Sequence, residues 1–358
     1  MRTLSSILKS IKPLDTAAME KARERQDSLT KPRGSLGVLE ALSAQIAGIR
    51  AEPMPSIEHK AIITMAADHG VVNAGVSLYP QDVTRQMVLN FLRGGAAINV
   101  LAKTINARVV VVDMGVLGGF PPTDGLICKM IDFGTRDMSR EPAMTRRQAI
   151  NSIEAGVDVV ESEIEKGLDI VGSGDMGIGN TTSASAIIAA ITREPVARVT
   201  GRGTGIDDRQ LAHKIDVIEK ALRVNRPDPD DPIDVLSKVG GFEIGGLAGV
   251  MLACAAHRIA VVIDGFISGS AALIATRLCP QLKDYLIASH LSAENGHLTC
   301  LDHMGLKPLL NLNMRLGEGT GAVFGIFLAQ AAVNLLKQMS TFQEAGVCDI
   351  DDAKKVVK

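Results

Sequence analysis

The sequence contains no tryptophan, and aromatic residues make up only 3% of it, whereas glycine occurs 35 times. Few aromatic side chains and many glycines suit an α/β protein with tight loops better than a β-sandwich. The chain has 358 residues, 46% of them hydrophobic and 22% charged. It can therefore bury a substantial core, as one large globular domain or two ordinary ones.

The chain also lacks an excess of positive charge, because its formal net charge is -2. We therefore expect no nucleic-acid partner. The five cysteines include no Cys-x-x-Cys pair, which indicates reduced thiols in a cytoplasmic protein. The N-terminal residues 1–15 contain no uninterrupted apolar segment, and the most apolar later segment, 259–278, carries charged and small polar residues. We expect neither a signal peptide nor a membrane span.

The middle of the chain alternates short apolar runs with stretches of helical periodicity. The runs, each ending in a polar or glycine-rich turn, are 61–70, 108–115, 168–177, 197–205, 259–265 and 286–290. The helical stretches are near 83–103, 145–166, 181–192, 207–224, 243–256 and 267–278. Apolar strands without alternation, each followed by a helical stretch, predict a parallel sheet covered by helices on both faces. Ligands bind beyond the carboxyl ends of the strands in such a sheet.

Helical periodicity dominates both ends of the chain, at 14–28, at 38–49 and after residue 320. We predict a small helical domain built from both chain ends, residues 1–58 plus 325–358. The large α/β domain for substrate binding and catalysis is expected at 59–324.

The segment LGEGTGA, 316–322, places Glu318 between two glycines and just before an apolar helical stretch. A partly desolvated carboxylate in such a loop is a candidate general base, because burial raises its pKa towards the working pH. The alternative is a carboxylate that only complements the dipole of the helix it precedes.

Two glycine-rich segments are candidate anion sites. GSGDMGIGNTTSASAI, 172–187, follows a predicted strand and opens a helix, so its backbone N–H groups could bind a phosphate. GRGTGIDD, 201–208, also follows a predicted strand, and Lys214 lies in the helix behind it. Neither segment has the spacing of a dinucleotide-binding motif or a P-loop, which counts against a nicotinamide-dependent dehydrogenase. A capped helix and surface charges remain the alternative interpretation.

Three further segments bear on the substrate. The segment VVIDGFISGS, 261–270, resembles part of the phosphoribosyl-pyrophosphate motif, in which two adjacent acidic residues follow an apolar strand. Here Asp264 is followed by Gly265, so the acidic pair is missing and a mononucleotide donor fits better than a pyrophosphate donor. His290, Glu294 and His297 would share one face if their segment were helical, but Asn295 and Gly296 interrupt it, so these residues favour sugar hydrogen bonds over a metal. The loop and helix at 67–87 could receive an aromatic ring, although a plain surface loop is the alternative.

Taken together, seven segments in order resemble one family, the nicotinate-nucleotide:dimethylbenzimidazole phosphoribosyltransferases, which build the lower ligand of cobalamin. The segments are KPRGSLGVLE (31–40), AADHGV (66–71), YPQDVTRQMVLNFLRGGAAINVLA (79–102), GDMGIGNTTSASAI (174–187), GRGTGIDD (201–208), SHLSAENGH (289–297) and MRLGEGTGA (314–322). The resemblance implies a Rossmann-like fold, a small domain from both chain ends, a homodimer, and no metal or cofactor.

The resemblance also implies residue roles. Glu318 would be the catalytic base. The nucleotide site would comprise Gly174, Asp175, Gly177, Gly179, Asn180, Thr181, Gly203, Thr204, Gly205, Lys214, Ser292 and Gly319. The aromatic base would meet Ser77, Tyr79, Gln86, Met176 and Leu316. Asp175 stands where some relatives carry glutamate.

The expected reaction moves the phosphoribosyl group of nicotinate mononucleotide to a benzimidazole-type base. A non-catalytic, mononucleotide-binding regulatory protein is the main alternative.

Overall fold

The computed structural model describes residues 2–348. Within this range the chain forms six strands: β1 (Lys60–Ala67), β2 (Ala107–Gly115), β3 (Leu126–Cys128), β4 (Ile170–Met176), β5 (Ala260–Ile263) and β6 (Leu286–Ala288).

The helices of the described range are α1 (Leu4–Ser10), α2 (Thr16–Ser28), α3 (Val38–Arg50), α4 (Asp82–Leu92), α5 (Ala97–Thr104), α6 (Arg146–Ile164), α7 (Asn180–Thr192), α8 (Val196–Val199), α9 (Asp208–Asn225), α10 (Pro232–Val239), α11 (Phe242–Ala256), α12 (Phe266–Leu278), α13 (Gly296–Met304), α14 (Thr320–Gln338) and α15 (Phe342–Ala345). Short 3-10 helices occupy Gly70–Ala74 and Pro280–Tyr285.

The six strands form one parallel sheet in the order β3-β2-β1-β4-β5-β6. Lys60 at the start of β1 pairs with Ala107 of β2 on one side and with Ile170 of β4 on the other. The strand order reverses between β1 and β4, which is where a Rossmann-type sheet forms its binding crevice. The predicted fold class is confirmed.

The chain divides into two compact units. One combines the described residues up to Lys12 with His59–Ile326, and the other combines Pro13–Glu58 with the described residues from Phe327 onward. Residues 1 and 349–358 of the expected small domain lie outside the described residues. The assignment of separate roles to the two domains stays a prediction.

The core of the first unit is built on α11, in which every side chain from Phe242 to Ala255 is buried. This helix packs closely on α6, because a side chain at Gly156 would collide with the carbonyl oxygen of Gly246. Glycine at this position brings the two helix backbones together beside the sheet.

The second unit contains α2 and α3 and a buried cluster of Ala22, Ala44, Ala47 and Leu336. Asp15 caps α2 by accepting the N–H of Ala18 at 2.9 Å. The helices predicted at 14–28 and 38–49 are confirmed. In the loop between them, Lys31 is buried and its Nζ lies 2.7 Å from Glu40 Oε1.

The strand predicted at 197–205 is wrong, because this region begins with the short helix α8. Val196 and Val199 are both buried and lie three residues apart, which is a helical spacing. The helix predicted at 83–103 is two helices, α4 and α5, and Gly94 between them has a φ of 77°. Strand β3 was not predicted.

Among the residues that the structure describes, one helix, α14, is long and apolar enough to cross a membrane. In its most apolar window, 56% of the residues are buried inside the protein. Core helices pass the same test of length and composition, so α14 is weak evidence for a membrane span.

Candidate active site

A cavity of about 490 Å³ opens at the carboxyl end of the sheet in the first unit. Segments that follow β1, β4, β5 and β6 all contribute to its walls, together with the loop before α14. The cavity therefore lies where the topology of a parallel sheet places a ligand.

Glu318 stands on a loop of left-handed backbone. Its φ is 63°, and those of Gly317 and Gly319 are 87° and 98°. This conformation costs a residue with a side chain on the order of 1–3 kcal/mol, so surrounding contacts must hold it. Thr64 supplies one such contact, because its hydroxyl donates to the carbonyl oxygen of Glu318 at 2.9 Å. Gly174 leaves room for that carbonyl, which a side chain there would strike.

Asp264, at the end of β5, holds the backbone on the other side of Glu318. Its Oδ2 accepts the N–H of Gly319 at 3.1 Å, and its Oδ1 accepts those of Gly321 at 2.6 Å and Ala322 at 3.2 Å. A carboxylate from a distant strand thus caps the amino end of α14.

The side chain of Glu318 is 5% exposed and lines the cavity. Its Oε2 accepts the N–H of Ile98, in the first turn of α5, at 3.2 Å. Burial raises the pKa of Glu318, the bond from Ile98 lowers it, and the charge of Asp264 raises it, with a net upward shift. Glu318 is thus placed as a candidate general base, whereas Asp264 interacts with the N-terminus of α14.

Asp175, at the end of β4, is a second buried carboxyl group on the cavity wall. Its Oδ2 accepts a hydrogen bond from Nδ2 of Asn180 at 3.0 Å. Burial, followed by the charges of Asp264, Glu243 and Glu318, raises the pKa of Asp175 well above its usual value.

A candidate anion site lies at the amino end of α7. The Nζ of Lys214 donates to Thr181 Oγ1 at 2.8 Å and is 3.4 Å from the carbonyl oxygen of Gly201. Lys214 is 1% exposed, and burial lowers the pKa of its ammonium group to about 8. A side chain at Gly203 would lie 2.9 Å from Thr181 Oγ1, so glycine keeps this approach open. Backbone N–H groups of a helix start and a buried cation together suit a phosphate.

The opposite part of the lining is apolar and partly open to solvent. Tyr79 is 51% exposed and Leu316 57% exposed, so both have surface available to a flat ligand. Val83 and Met87 of α4 line the cavity beside them. Gln86, on the same helix, is exposed and lies outside the lining.

The structure brings most of the expected site residues to one cavity. The lining includes Glu318, Asp175, Gly177, Gly179, Asn180, Thr181, Gly203, Thr204, Lys214, Ser292, Ser77, Tyr79, Met176 and Leu316. Gly174 and Gly319 lie behind Glu318, supporting its loop, and Gly205 faces open space. These positions leave the residue roles as predictions.

The segment after β6 does not place its polar residues on a helical face. Helix α13 begins only at Gly296, so the arrangement considered for His290, Glu294 and His297 does not form. His290 and Glu294 line the cavity, whereas Nδ1 of His297 accepts the N–H of Ser292 at 2.8 Å. Across residues 2–348 there is no group of three or more His, Cys, Asp or Glu side chains arranged to hold a metal ion.

Several lining residues were not identified from the sequence as site residues. They are Val76, Val83, Met87, Ile178, Gly265, Phe266, Ile267, Arg315 and Gly317. Arg315 lies in a quoted motif, and its Nη1 donates to the carbonyl oxygen of Gly203 at 2.7 Å. The apolar residues had no distinguishing local signal, because their spacing matches that of ordinary core positions.

A phosphoribosyltransferase family model, DBI_PRT, matches residues 11–347. A protein from Roseiflexus sp. (strain RS-1) is 59% identical over 97% of this chain and 98% of its own length. One from Desulforudis audaxviator (strain MP104C) is 57% identical over the same shares. Both are named nicotinate-nucleotide--dimethylbenzimidazole phosphoribosyltransferase. The crystal structure of CobT from Thermus thermophilus is similar at a TM-score of 0.89 and 44% identity, covering 93% of this chain and 99% of that one.

Proposed function

Because this chain belongs to the phosphoribosyltransferase family whose model matches residues 11–347, we propose that it transfers the 5-phosphoribosyl group of nicotinate mononucleotide to 5,6-dimethylbenzimidazole. The products are α-ribazole 5′-phosphate and nicotinate, and the reaction serves assembly of the nucleotide loop of cobalamin. The names of the two relatives support this choice of substrates. The comparisons do not support the alternative of a non-catalytic regulatory protein.

The observation that carries the proposal is the buried carboxyl group of Glu318 on the wall of a cavity that also holds a buried lysine. In the proposed reaction, a nitrogen of the benzimidazole attacks C1 of the ribose while the bond from C1 to the nicotinate nitrogen breaks. The attacking ring carries an N–H whose acidity rises as positive charge develops on it. Glu318 takes that proton, so the ring is a better nucleophile and the product ring is neutral.

The leaving group needs no strong acid, because the pyridinium nitrogen of the nucleotide departs with the bonding electrons and becomes neutral. Attack from the face opposite to nicotinate turns a β-nucleotide into an α-ribazole phosphate. Binding both substrates in one cavity supplies the orientation that a bimolecular reaction in water lacks.

Lys214, Thr181 and the amino end of α7 would hold the 5′-phosphate. The support is the 2.8 Å contact between Lys214 Nζ and Thr181 Oγ1 at a helix start. The benzimidazole would lie on the apolar part of the lining, against Tyr79, Met176 and Leu316. On α4, the side chains that line the cavity and would contact the benzimidazole are Val83 and Met87, whereas the expected contact, Gln86, lies outside the lining.

We further propose that the protein is a homodimer, as the family resemblance implies, and that it is cytoplasmic, as the cysteine pattern predicts. In this arrangement the large domain, 59–324, binds both substrates and performs the chemistry. Sedimentation of the purified protein at several concentrations measures the oligomeric state, and a mass of one chain at all of them would contradict the dimer.

The function is tested by incubating the protein with nicotinate mononucleotide and a panel of benzimidazoles, and by identifying the products by mass. We expect one nicotinate released for each α-ribazole phosphate formed. Binding of the mononucleotide without nicotinate release would favour the non-catalytic alternative and overturn the proposal.

A further inference from the structure

A row of polar side chains faces the cavity from the segment after β6. The N–H of Leu291 donates to Leu310 at 2.7 Å, and the N–H of Ala293 donates to Met314 at 2.9 Å. Alternate residues of the segment are thereby fixed by backbone hydrogen bonds. The residues that alternate with these two, His290, Ser292 and Glu294, all line the cavity.

Glu294 has a hydrogen-bonding group that the protein leaves unused. Its side chain is buried, with 6% of the residue exposed. Its Oε2 has no hydrogen-bond partner within the part of the chain that the structure describes. A buried carboxyl oxygen without a donor is costly, so the site is suited to a ligand that supplies one.

The position of Glu294 places that ligand next to the candidate phosphate site. The carboxyl group packs against Gly201 so closely that a side chain there would collide with Oε2. Lys214 Nζ lies 3.4 Å from the carbonyl oxygen of the same glycine. A sugar whose 5′-phosphate binds Lys214 therefore lies beside Glu294.

A carboxylate accepts hydrogen bonds and donates none, so it recognises donors. On the ribose 5-phosphate part of a mononucleotide at neutral pH, the donors are the two ring hydroxyl groups. We infer that Glu294 is a specificity residue that binds the 2′- and 3′-hydroxyls of the phosphoribosyl group and selects ribonucleotides over deoxyribonucleotides. The inference rests on the proposed function only for the identity of the nucleotide.

The test measures binding of nicotinate mononucleotide and of its 2′-deoxy and 3′-deoxy analogues by calorimetry, with no benzimidazole present. The unaltered protein should bind at least one deoxy analogue on the order of 10- to 100-fold more weakly than the ribonucleotide, because a charged hydrogen bond is lost. In Glu294→Ala the same comparison should give affinities within about threefold of each other, because the acceptor is absent from both complexes.

Asp113→Asn is the matched control, since Asp113 is a buried carboxyl group that accepts the N–H groups of Gly115 and Val116 and does not line the cavity. It should keep the preference for the ribonucleotide even if both affinities change. A general loss of packing would weaken binding of both nucleotides and would not selectively alter the ratio of the ribonucleotide affinity to the deoxynucleotide affinity. Glu294→Gln, which preserves shape, decides the question if Glu294→Ala does not fold, and its ratio should also fall at least threefold.

An unchanged ratio in the folded Glu294 variants, or no ribonucleotide preference in the unaltered protein, would overturn the inference. These outcomes are independent of turnover. A protein that prefers the ribonucleotide but forms no α-ribazole phosphate contradicts only the proposed function. A protein that forms product and keeps its preference without Glu294 contradicts only the role of Glu294.

Discussion

The carboxyl group of Glu318 accepts a hydrogen bond from the backbone N–H of Ile98 at 3.2 Å, across 220 residues of sequence. Ile98 lies in the first turn of α5, where N–H groups stabilise negative charge. This bond fixes the orientation of the carboxyl group and favours its ionised form. Burial acts in the opposite direction and raises the pKa. The candidate base is therefore both positioned and made more basic by its surroundings.

Glu318→Gln should leave nucleotide binding nearly unchanged and lower turnover by on the order of two to four powers of ten, because Gln cannot accept the proton. The amide oxygen can still accept the N–H of Ile98, so the loop should keep its conformation. Turnover is measured by formation of α-ribazole phosphate, and affinity by calorimetry with nicotinate mononucleotide. Near-normal turnover would show that another group removes the proton.

The same variant should be more stable than the unaltered protein at neutral pH. The pKa of Glu318 in the folded state is raised above its ordinary value of 4.5, first of all by burial, so ionisation disfavours the folded state. The folded protein then binds more protons than the unfolded chain, and its stability falls as pH rises through the raised pKa. Thermal unfolding should show a gain for Glu318→Gln at pH 7 that disappears below about pH 4.5. A gain that is independent of pH would contradict this explanation.

Lys214→Ala should weaken binding of nicotinate mononucleotide about 100-fold or more, because a buried cation facing the phosphate is removed. Binding of dimethylbenzimidazole alone should change by less than about threefold, since the apolar part of the lining is intact. Calorimetry with each ligand separately provides the comparison. Equal losses for both ligands would indicate a general structural role for Lys214.

Nucleotide affinity should also depend on pH through Lys214. Burial lowers the pKa of its ammonium group from 10.5 to about 8, so the free protein loses this positive charge at moderately alkaline pH. Affinity for nicotinate mononucleotide should therefore fall above about pH 8, by at most about tenfold per pH unit. Lys214→Arg is the control, because a guanidinium group stays charged throughout this range. The same alkaline decline in Lys214→Arg would assign the titration to another group.

Asp264→Asn should lower the pH at which activity rises on the acidic side. Burial raises the pKa of Glu318, and the charge of Asp264 raises it further, so a neutral residue at 264 lowers that pKa. The variant should also lose about 0.5–2 kcal/mol of stability, because Asp264 caps α14.

Asp231→Asn supplies the control for Asp264, since Asp231 caps α10 through the N–H groups of Ile233 and Asp234 and does not line the cavity. It should lose similar stability without moving the acidic limb of kcat/KM. An acidic limb that shifts equally in both variants would mean that stability, and not the charge of Asp264, sets it.

Much of the fold follows from local sequence patterns. The apolar runs of β1, β4, β5 and β6 are buried almost throughout, and β2 is buried from its fourth residue onward, so the apolar composition of these runs identifies them as strands. Strand β3 has only three residues, too few for any periodicity to appear. The run at 197–205 does not form the expected strand, because a short apolar segment such as the one around Val199 is compatible with either a strand or one helical turn.

The cavity was less predictable than the sheet. Glycine-rich turns after strands indicated which loops converge, because the carboxyl ends of parallel strands share one edge. The contacts that position Glu318 come from Thr64 and Ile98, which are 254 and 220 residues away in the sequence, and from Asp264 on another strand end. No local pattern reports such partners. Such contacts can be identified only when the order of the strands in the sheet is known.

The left-handed backbone at Glu318, with its φ of 63°, creates a conflict between stability and the proposed reaction. Glycine is the residue that this backbone conformation favours, and it would also remove a buried ionisable group. Selection of random variants for heat resistance alone should therefore enrich replacements of Glu318 that abolish the reaction. A stabilisation programme for this protein should therefore screen for product at every round, because a stabilising replacement at Glu318 would remove the proposed catalytic base.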